Sequence, residues 1–251
     1  MGKMIGFLYG VIAYFMFFGT VLYMMAFVGD YSFEGIIGDY SITKTIDSGP
    51  EGPLGITLVM DVGLLALFGL QHTLMARPAF KSWWTQLVPK AVERSTYVLV
   101  SSLLLILLFY YWQPINIELW DASGNIVGTI LVGLYWFGWA LVFFSTFVID
   151  HFDLFGLKQV FYNLRNKEMP AYQFQIRSLY KIVRHPLMVG WIVVFWATPV
   201  MTYGHLLFAT LLTIYILIAL VYEEKDLEDF FGQKYREYKA KVPKIIPFMK
   251  P

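Results

Sequence analysis

Few side chains in this sequence can do chemistry, and most of them stand at the ends of apolar stretches. His72 follows Gln71 near the end of one stretch, His151 lies between Asp150 and Asp153 just past another, and His185 sits in Arg184-His185-Pro186 just before a third. An imidazole changes charge near neutral pH, so each of these can take or give a proton in a reaction. His205, the fourth histidine, falls in a polar break and reads as an ordinary helix-end residue. Neither HxxH nor HExxH spacing occurs, and no metal is expected. The absence of cysteine excludes disulfides, thiolate metal sites and a cysteine nucleophile.

A second constellation pairs Arg184 and His185 with Glu223 and Glu224. Pro186 can open a helix at its first position. Arg184 and His185 then stand at a helix N-terminus, where backbone N–H groups and the dipole favour an anion. Glu223-Glu224 closes the apolar block that Pro186 opens. If that block folds back on itself, the basic and acidic pairs meet at one rim. Such a set suits a zwitterionic ligand with a carboxylate, an amine and hydroxyls. It equally suits a plain salt bridge between the two ends, which is worth little if exposed. Asp61 lies inside an apolar stretch, where an ionisable group is costly; it either clamps a neighbouring helix or takes part in chemistry. About three helical turns separate it from His72, so the two face one direction without touching.

The elements that position these groups are membrane spans. Hydrophobic residues make up 58% of the 251 and charged ones 15%, against roughly 45–50% and 25% in soluble domains. About 20 apolar residues cross a bilayer core, and stretches near 4–28, 54–76, 96–113 and 126–149 qualify. The first is too long for the apolar core of a cleaved signal peptide and reads as a retained span. A fifth block, 187–222, is too long for one span and is broken around Thr198, Pro199 and Gly204.

Charge settles how that block runs. The 29–53 loop holds Lys44 and five acids (Asp30, Glu34, Asp39, Asp47, Glu51), and 114–125 has no Lys or Arg. Lys and Arg instead fill 77–95, 150–186 and the tail, so 18 of the 19 fall on one side of the membrane. By the positive-inside rule that side is cytoplasmic, with both termini. The 187–222 block must then cross and return. The expected fold is all-α: a polytopic bundle of four spans plus a C-terminal helical hairpin with a short first arm. A cytoplasmic amphipathic helix follows, patterned by Leu227, Phe230, Phe231, Tyr235, Tyr238 and Val242, weakened at Gly232 and ended by Pro243 and Pro247. The whole chain, 1–251, reads as a single integral-membrane domain. A net charge of +1 carries no footprint for nucleic acid.

Arg184-His185-Pro186-x-x-x-Gly190-Trp191, the later Glu223-Glu224, Phe231-Gly232-x-x-Tyr235-x-x-Tyr238 and Val242-Pro243-x-x-Ile246-Pro247 resemble the C-terminal signature of integral-membrane methyltransferases, of which isoprenylcysteine carboxyl methyltransferase is the best known. Gln71-His72-Thr-Leu-Met75-Ala-Arg77-Pro78, Trp83-Trp84, Val92-Glu93-Arg94-Ser95-Thr96-Tyr97 and His151-Phe152-Asp153-Leu154-Phe155-Gly156 resemble the methanethiol S-methyltransferase branch, related to NnrU-like membrane proteins. The first likeness covers about the last 75 residues and the second most of the chain. Where the carboxyl methyltransferases often place an aromatic residue two positions past the RHP proline, Met188 stands here.

The resemblance implies an S-adenosylmethionine-dependent enzyme that methylates methanethiol to dimethyl sulfide, at a cytoplasm-facing site in a bacterial cytoplasmic membrane. It implies a cofactor region near 180–247. Arg184 and His185 would meet the cofactor's carboxylate, and Glu223 or Glu224 its amine or ribose. Tyr180, Tyr235 and Tyr238 would line it. A thiol reacts as thiolate, so a general base helps; His72 is the first candidate and His151 the second, the latter oriented by Asp150 or Asp153. Partners would be a small thiol and membrane lipid. Two other readings stay open: methylation of a lipid or prenylated thiol or carboxylate, and a non-catalytic membrane sensor or carrier.

Overall fold

A computed structural model describes residues 2–37, 40–42, 44–171 and 173–249, with the backbone only for 33–42. Asp39, counted among the loop acids, lies outside the described residues. In chain order the elements are α1 (Gly2–Val28), β1 (Phe33–Ile37), β2 (Tyr40–Ile42), α2 (Leu54–Ala76), α3 (Pro78–Trp84), α4 (Lys90–Tyr111), β3 (Glu118–Asp121), α5 (Ile126–Ile149), α6 (His151–Leu154) and α7 (Leu157–Leu164). A 3-10 turn (Ser178–Lys181), α8 (Pro186–Trp196), β4 (Val200–Thr202), α9 (Tyr203–Phe231) and α10 (Gln233–Lys239) complete the described chain.

Five helices among the described residues (α1, α2, α4, α5 and α9) are long and apolar enough to cross a bilayer, with mean hydropathies of 1.7 to 2.3. This is a multi-pass, essentially all-α membrane protein. Large apolar side chains such as Ile12, Val59, Leu70 and Phe137 point outward, as they do where the surrounding medium is lipid and helices meet through small residues and polar contacts instead.

The chain packs as two compact units. The first comprises the chain up to Glu118, Phe152–Met169 and Thr202–His205. In it α4 packs on α1 and α2, and α7 packs on α1 and α4. Proline shapes the boundaries: Pro78 opens α3 and forces Arg77 out of helical geometry, which ends α2. Phe27, Phe109 and Trp112 form a buried aromatic core, and Trp112 Nε1 donates to the Ile46 carbonyl at 2.9 Å.

The second unit comprises Leu119–His151, Pro170–Met201 and the chain from Leu206. Asn125 caps α5, its side chain accepting from the Val127 and Gly128 N–H groups. The expected hairpin is α8, a short extended link, and α9. Eleven helical residues rise only about 16 Å, so the extended link must supply the rest of a bilayer's depth. Its backbone is satisfied, as lipid requires: Ala122 N–H donates to Pro199 O at 2.8 Å and Trp120 Nε1 to Thr198 O at 3.3 Å. Phe195 meets Phe208 edge-on and Trp196 Nε1 donates to Thr213 Oγ1, which closes the two arms.

Two glycines let α8 lie backbone-to-backbone on α5. A Cβ on Gly190 would come within 2.9 Å of Val142 N and 3.0 Å of Gly138 O, and one on Gly138 within 3.1 Å of Gly190 O. The tail is divided more sharply than its amphipathic pattern alone implies. α9 continues past the apolar stretch to Phe231, Gly232 turns at φ +58°, and α10 restarts the helix. Tyr235, Tyr238 and Val242 then pack against Phe174, Leu227 and Phe231.

Candidate functional site

The second unit gathers the charged residues singled out above. Arg184 is held at the entrance of α8 by its own backbone, whose N–H donates to Pro243 O at 2.8 Å; the His185 N–H donates to Lys244 O at 3.1 Å. The Arg184 side chain turns inward. Its Nε donates to Glu224 Oε1 at 2.8 Å, and its Nη1 donates to the carbonyls of Lys239 (2.9 Å) and Val242. His185 Nε2 lies 3.2 Å from the same Glu224 oxygen. Glu224 Oε2 faces Lys244 Nζ at 3.3 Å and Lys239 Nζ at 3.7 Å. Arg184, His185 and Glu224 are all buried.

This geometry separates the two glutamates. Glu224 is the hub of a buried ion-pair network that joins the start of α8, the end of α9 and the chain after α10. Removing water from such a set is costly, and only full hydrogen bonding offsets it. Glu223 is half-buried and has no hydrogen-bond or ion-pair partner among the described residues. Its charge reaches Tyr180 and Tyr235 and helps to raise both phenols, after burial as the first cause. Tyr238 is pushed up to about 12, again by burial first, and its hydroxyl donates to Tyr180 O at 2.6 Å. All three tyrosines therefore remain neutral hydrogen-bonding groups at physiological pH. The Tyr235 hydroxyl is buried and without a hydrogen-bond partner among the described residues. Arg184 likewise retains Nη2, which has no hydrogen-bond partner among them.

His151 also belongs to this unit. Its Nδ1 shares a 2.8 Å hydrogen bond with Thr146 Oγ1, and its ring stacks on Phe147 at 4.4 Å. Burial lowers its pKa, and the charge of Asp150 opposes that shift. Asp150 marks an abrupt turn, with φ +153° at the end of α5. Asp153 falls in the first unit, where its Oδ1 accepts from Gln159 Nε2 at 3.0 Å. Thr146 is thus the residue that sequence reasoning missed: a threonine inside an apolar helix gives no sign that it will hold a histidine five positions on.

In the first unit, His72 is bonded through both ring nitrogens. Nε2 lies 2.7 Å from Tyr97 Oη and Nδ1 lies 3.2 Å from Ser101 Oγ. Tyr97 and Ser101 occupy one face of α4, four residues apart. Their shared face is the signal that could have found them, once α2 and α4 are known to pack together. Asp61 is fully buried; its Oδ1 accepts from the Gln113 N–H at 3.0 Å, while Oδ2 has no partner among the described residues. It anchors the chain after α4. His205 is buried, 3.9 Å from Asp47, and its N–H donates to Thr202 Oγ1. A cleft of about 400 Å³ lined by Gly6, Tyr9, Val92 and Thr96 contains none of the candidate residues. Among the described residues no group of three or more His, Asp or Glu side chains is placed to hold a metal ion.

The family model described as NnrU protein matches residues 60–241. The chain is 49% identical over 243 residues to the methanethiol S-methyltransferase of Crocosphaera subtropica, covering 96% of this chain and 91% of that protein. It is 51% identical over 206 residues to methanethiol S-methyltransferase 2 of Bradyrhizobium diazoefficiens, covering 82% and 79%. It is 47% identical over 209 residues to the methanethiol S-methyltransferase of Pseudomonas deceptionensis, covering 83% and 80%. No solved structure matches.

Proposed function

This chain belongs to the NnrU family and is a membrane-embedded methyltransferase; from that premise we propose that it transfers a methyl group from S-adenosylmethionine to the sulfur of a small thiol, converting methanethiol to dimethyl sulfide. The names and high identities of its relatives support the substrate class. The whole chain acts as one integral-membrane domain, with the cofactor held by 180–247. The site opens to the cytoplasm of a bacterial cell, a reading supported by the one-sided Lys and Arg and by the bacterial relatives.

The observation that carries the cofactor reading is the set of unspent polar groups around a rigid charged hub. Glu223 offers a carboxylate to an amine or to ribose hydroxyls. Tyr235 offers a buried hydroxyl that has no hydrogen-bond partner among the described residues. Arg184 Nη2 offers a donor to a carboxylate, while Nε and Nη1 keep the guanidinium fixed. His185 adds a second cationic or donor group on the same side of Glu224, and Tyr180 and Tyr238 wall the site. When bound, S-adenosylmethionine supplies an electrophilic sulfonium methyl. The protein's own part is to hold the thiol sulfur in line with it and to accept the thiol proton. Alignment of this kind is worth up to ~7–11 kcal/mol in the best intramolecular cases. His72 is the proton acceptor, and His151, with Asp150 beside it, is the second candidate.

The test is dimethyl sulfide in the headspace over purified protein given S-adenosylmethionine and methanethiol. Product formation is the expected result. Cofactor binding without product would redirect the reading to a lipid or prenylated thiol or carboxylate. Absence of cofactor binding would overturn it.

A further inference from the structure

The cleft of about 400 Å³ in the first unit lies along the first two turns of α1 and α4. Its walls are mostly apolar, with Ile5 on α1 and Val88 and Val92 at and after the start of α4, and Gly6 adds no side chain to fill it. Tyr9 and Thr96 line it about two turns in from the helix ends. Their hydroxyl protons are already spent: Tyr9 Oη donates to Thr96 Oγ1 at 3.0 Å, and Thr96 Oγ1 donates to the Val92 carbonyl at 2.9 Å. A polar metabolite finds no unspent hydroxyl proton at that depth, whereas a hydrocarbon chain needs none. The outer end is basic. Lys3 and Lys90 are exposed in the first turns of the same two helices, and each adjoins residues that line the cleft. Lys3 Nζ donates to Asn166 Oδ1, a neutral amide, and neither lysine forms an ion pair among the described residues. Glu93, the acid in the first turn of α4, is half-buried.

We propose that this cleft binds one anionic glycerophospholipid of the leaflet that the N-terminus faces, with an acyl chain between α1 and α4 and the phosphate at Lys3 and Lys90. Both helices are long and apolar enough to span the membrane. Their ends therefore lie at the depth where an apolar opening meets acyl chains and lysines meet phosphates. The volume falls near the lower end of the ~300–1,000 Å³ of ordinary ligand pockets, which suits one chain. Charge selects the headgroup. A zwitterionic lipid brings a cation of its own toward two lysines that have no carboxylate partner, and an anionic lipid does not. Because Lys3 also holds Asn166, just past the end of α7, a phosphate at Lys3 sits where α1 and the chain after α7 meet.

Native mass spectrometry of the full-length protein tests the site, with phosphatidylglycerol and phosphatidylcholine of the same acyl chains as the two probes. The wild type should retain one phosphatidylglycerol at a lower lipid concentration than phosphatidylcholine. Lys3→Gln and Lys90→Gln should each weaken phosphatidylglycerol roughly fivefold, the share of one lysine near an anionic lipid surface, and leave phosphatidylcholine unchanged. Ala91→Trp puts an indole into the cleft wall and should weaken both lipids. A diazirine in the acyl chain of phosphatidylglycerol locates the lipid in the unaltered protein, so the result does not depend on any variant folding. Label within residues 5–9 or 88–96 is expected, and label confined to other segments overturns the proposal. Equal retention of the two lipids by the wild type also overturns it, leaving only the lipid that coats any apolar surface. So does phosphatidylglycerol retention that survives unchanged when both lysines are replaced together.

Discussion

Arg184 and Glu224 join the two arms of the α8–α9 hairpin by a buried ion pair, Nε to Oε1 at 2.8 Å, with side-chain exposures of 4% and 3%. The pair is tied further to the carbonyls of Lys239 and Val242, so one guanidinium fixes three segments that are distant in sequence.

Arg184→Ala should therefore fail first through stability. Breaking a buried pair from one side costs about 3–5 kcal/mol because a carboxylate is left behind without its partner. Lys239, Lys244 and His185 around Glu224 make the lower end of that range the expected result. Chemical denaturation of the protein in a lipid-like environment measures it, and an unchanged midpoint would contradict the structural part of this role.

Glu223→Gln should behave differently. Nothing among the described residues depends on the Glu223 carboxylate for a hydrogen bond, so stability should hold. S-Adenosylmethionine affinity should drop roughly tenfold, as expected for a lost hydrogen bond to a charged group. Calorimetric binding to Glu223→Gln and Glu224→Gln side by side tells the two glutamates apart: only the second should also lower stability.

Tyr235→Phe removes a buried hydroxyl that has no partner among the described residues. An unsatisfied buried polar group costs about 1–3 kcal/mol, so the cofactor-free variant should be as stable as the wild type or more so. Its cofactor affinity should fall. A variant that is less stable without cofactor would show that the hydroxyl has a structural partner instead.

Alkaline pH should loosen the second unit. Tyr238 is neutral up to about 12 when folded, against its ordinary value of 10.0. Between those values the unfolded chain has lost the proton and the folded one retains it, so stability falls as pH rises through that window. Below pH 10 both states are protonated and the group contributes no pH dependence. Denaturation midpoints from pH 8 to 12 should bend downward above about 10, and Tyr238→Phe should flatten the bend.

Gly190→Ala should disrupt the crossing of α5 and α8. The new methyl would meet the backbone of Val142 and Gly138 at 2.9 and 3.0 Å, and backbone cannot step aside as a flexible side chain can. Overpacking of this kind costs about 1–3 kcal/mol. A thermal melt equal to wild type would mean that the helices separate at no cost.

The sequence by itself determined the membrane character, the spans and the short-armed hairpin, because apolar length and the placement of Lys and Arg are properties of consecutive residues. Pro186 and the break near Pro199 also marked their turns directly, since proline acts on its own backbone, while Gly232 read only as a weak point in one helix and the structure makes it a turn. The meeting of Arg184 with Glu224 was legible as a consequence of hairpin closure, although whether the pair served a ligand or the fold was not. Only the tertiary structure decided that Glu224 is spent on Arg184, His185 and two lysines while Glu223 is not: adjacent residues on a helix point about 100° apart, and which one faces inward depends on how the helix is rotated. The carbonyls of Lys239 and Val242 have no sequence signature, because every residue carries one. His72 stood out alone, but Tyr97 and Ser101 became its partners only through the register of α4 on α2. Thr146 met His151 Nδ1 without any sign in the sequence, because the hydrogen-bonding partner of a buried ring is chosen by packing in three dimensions, which a linear spacing does not encode.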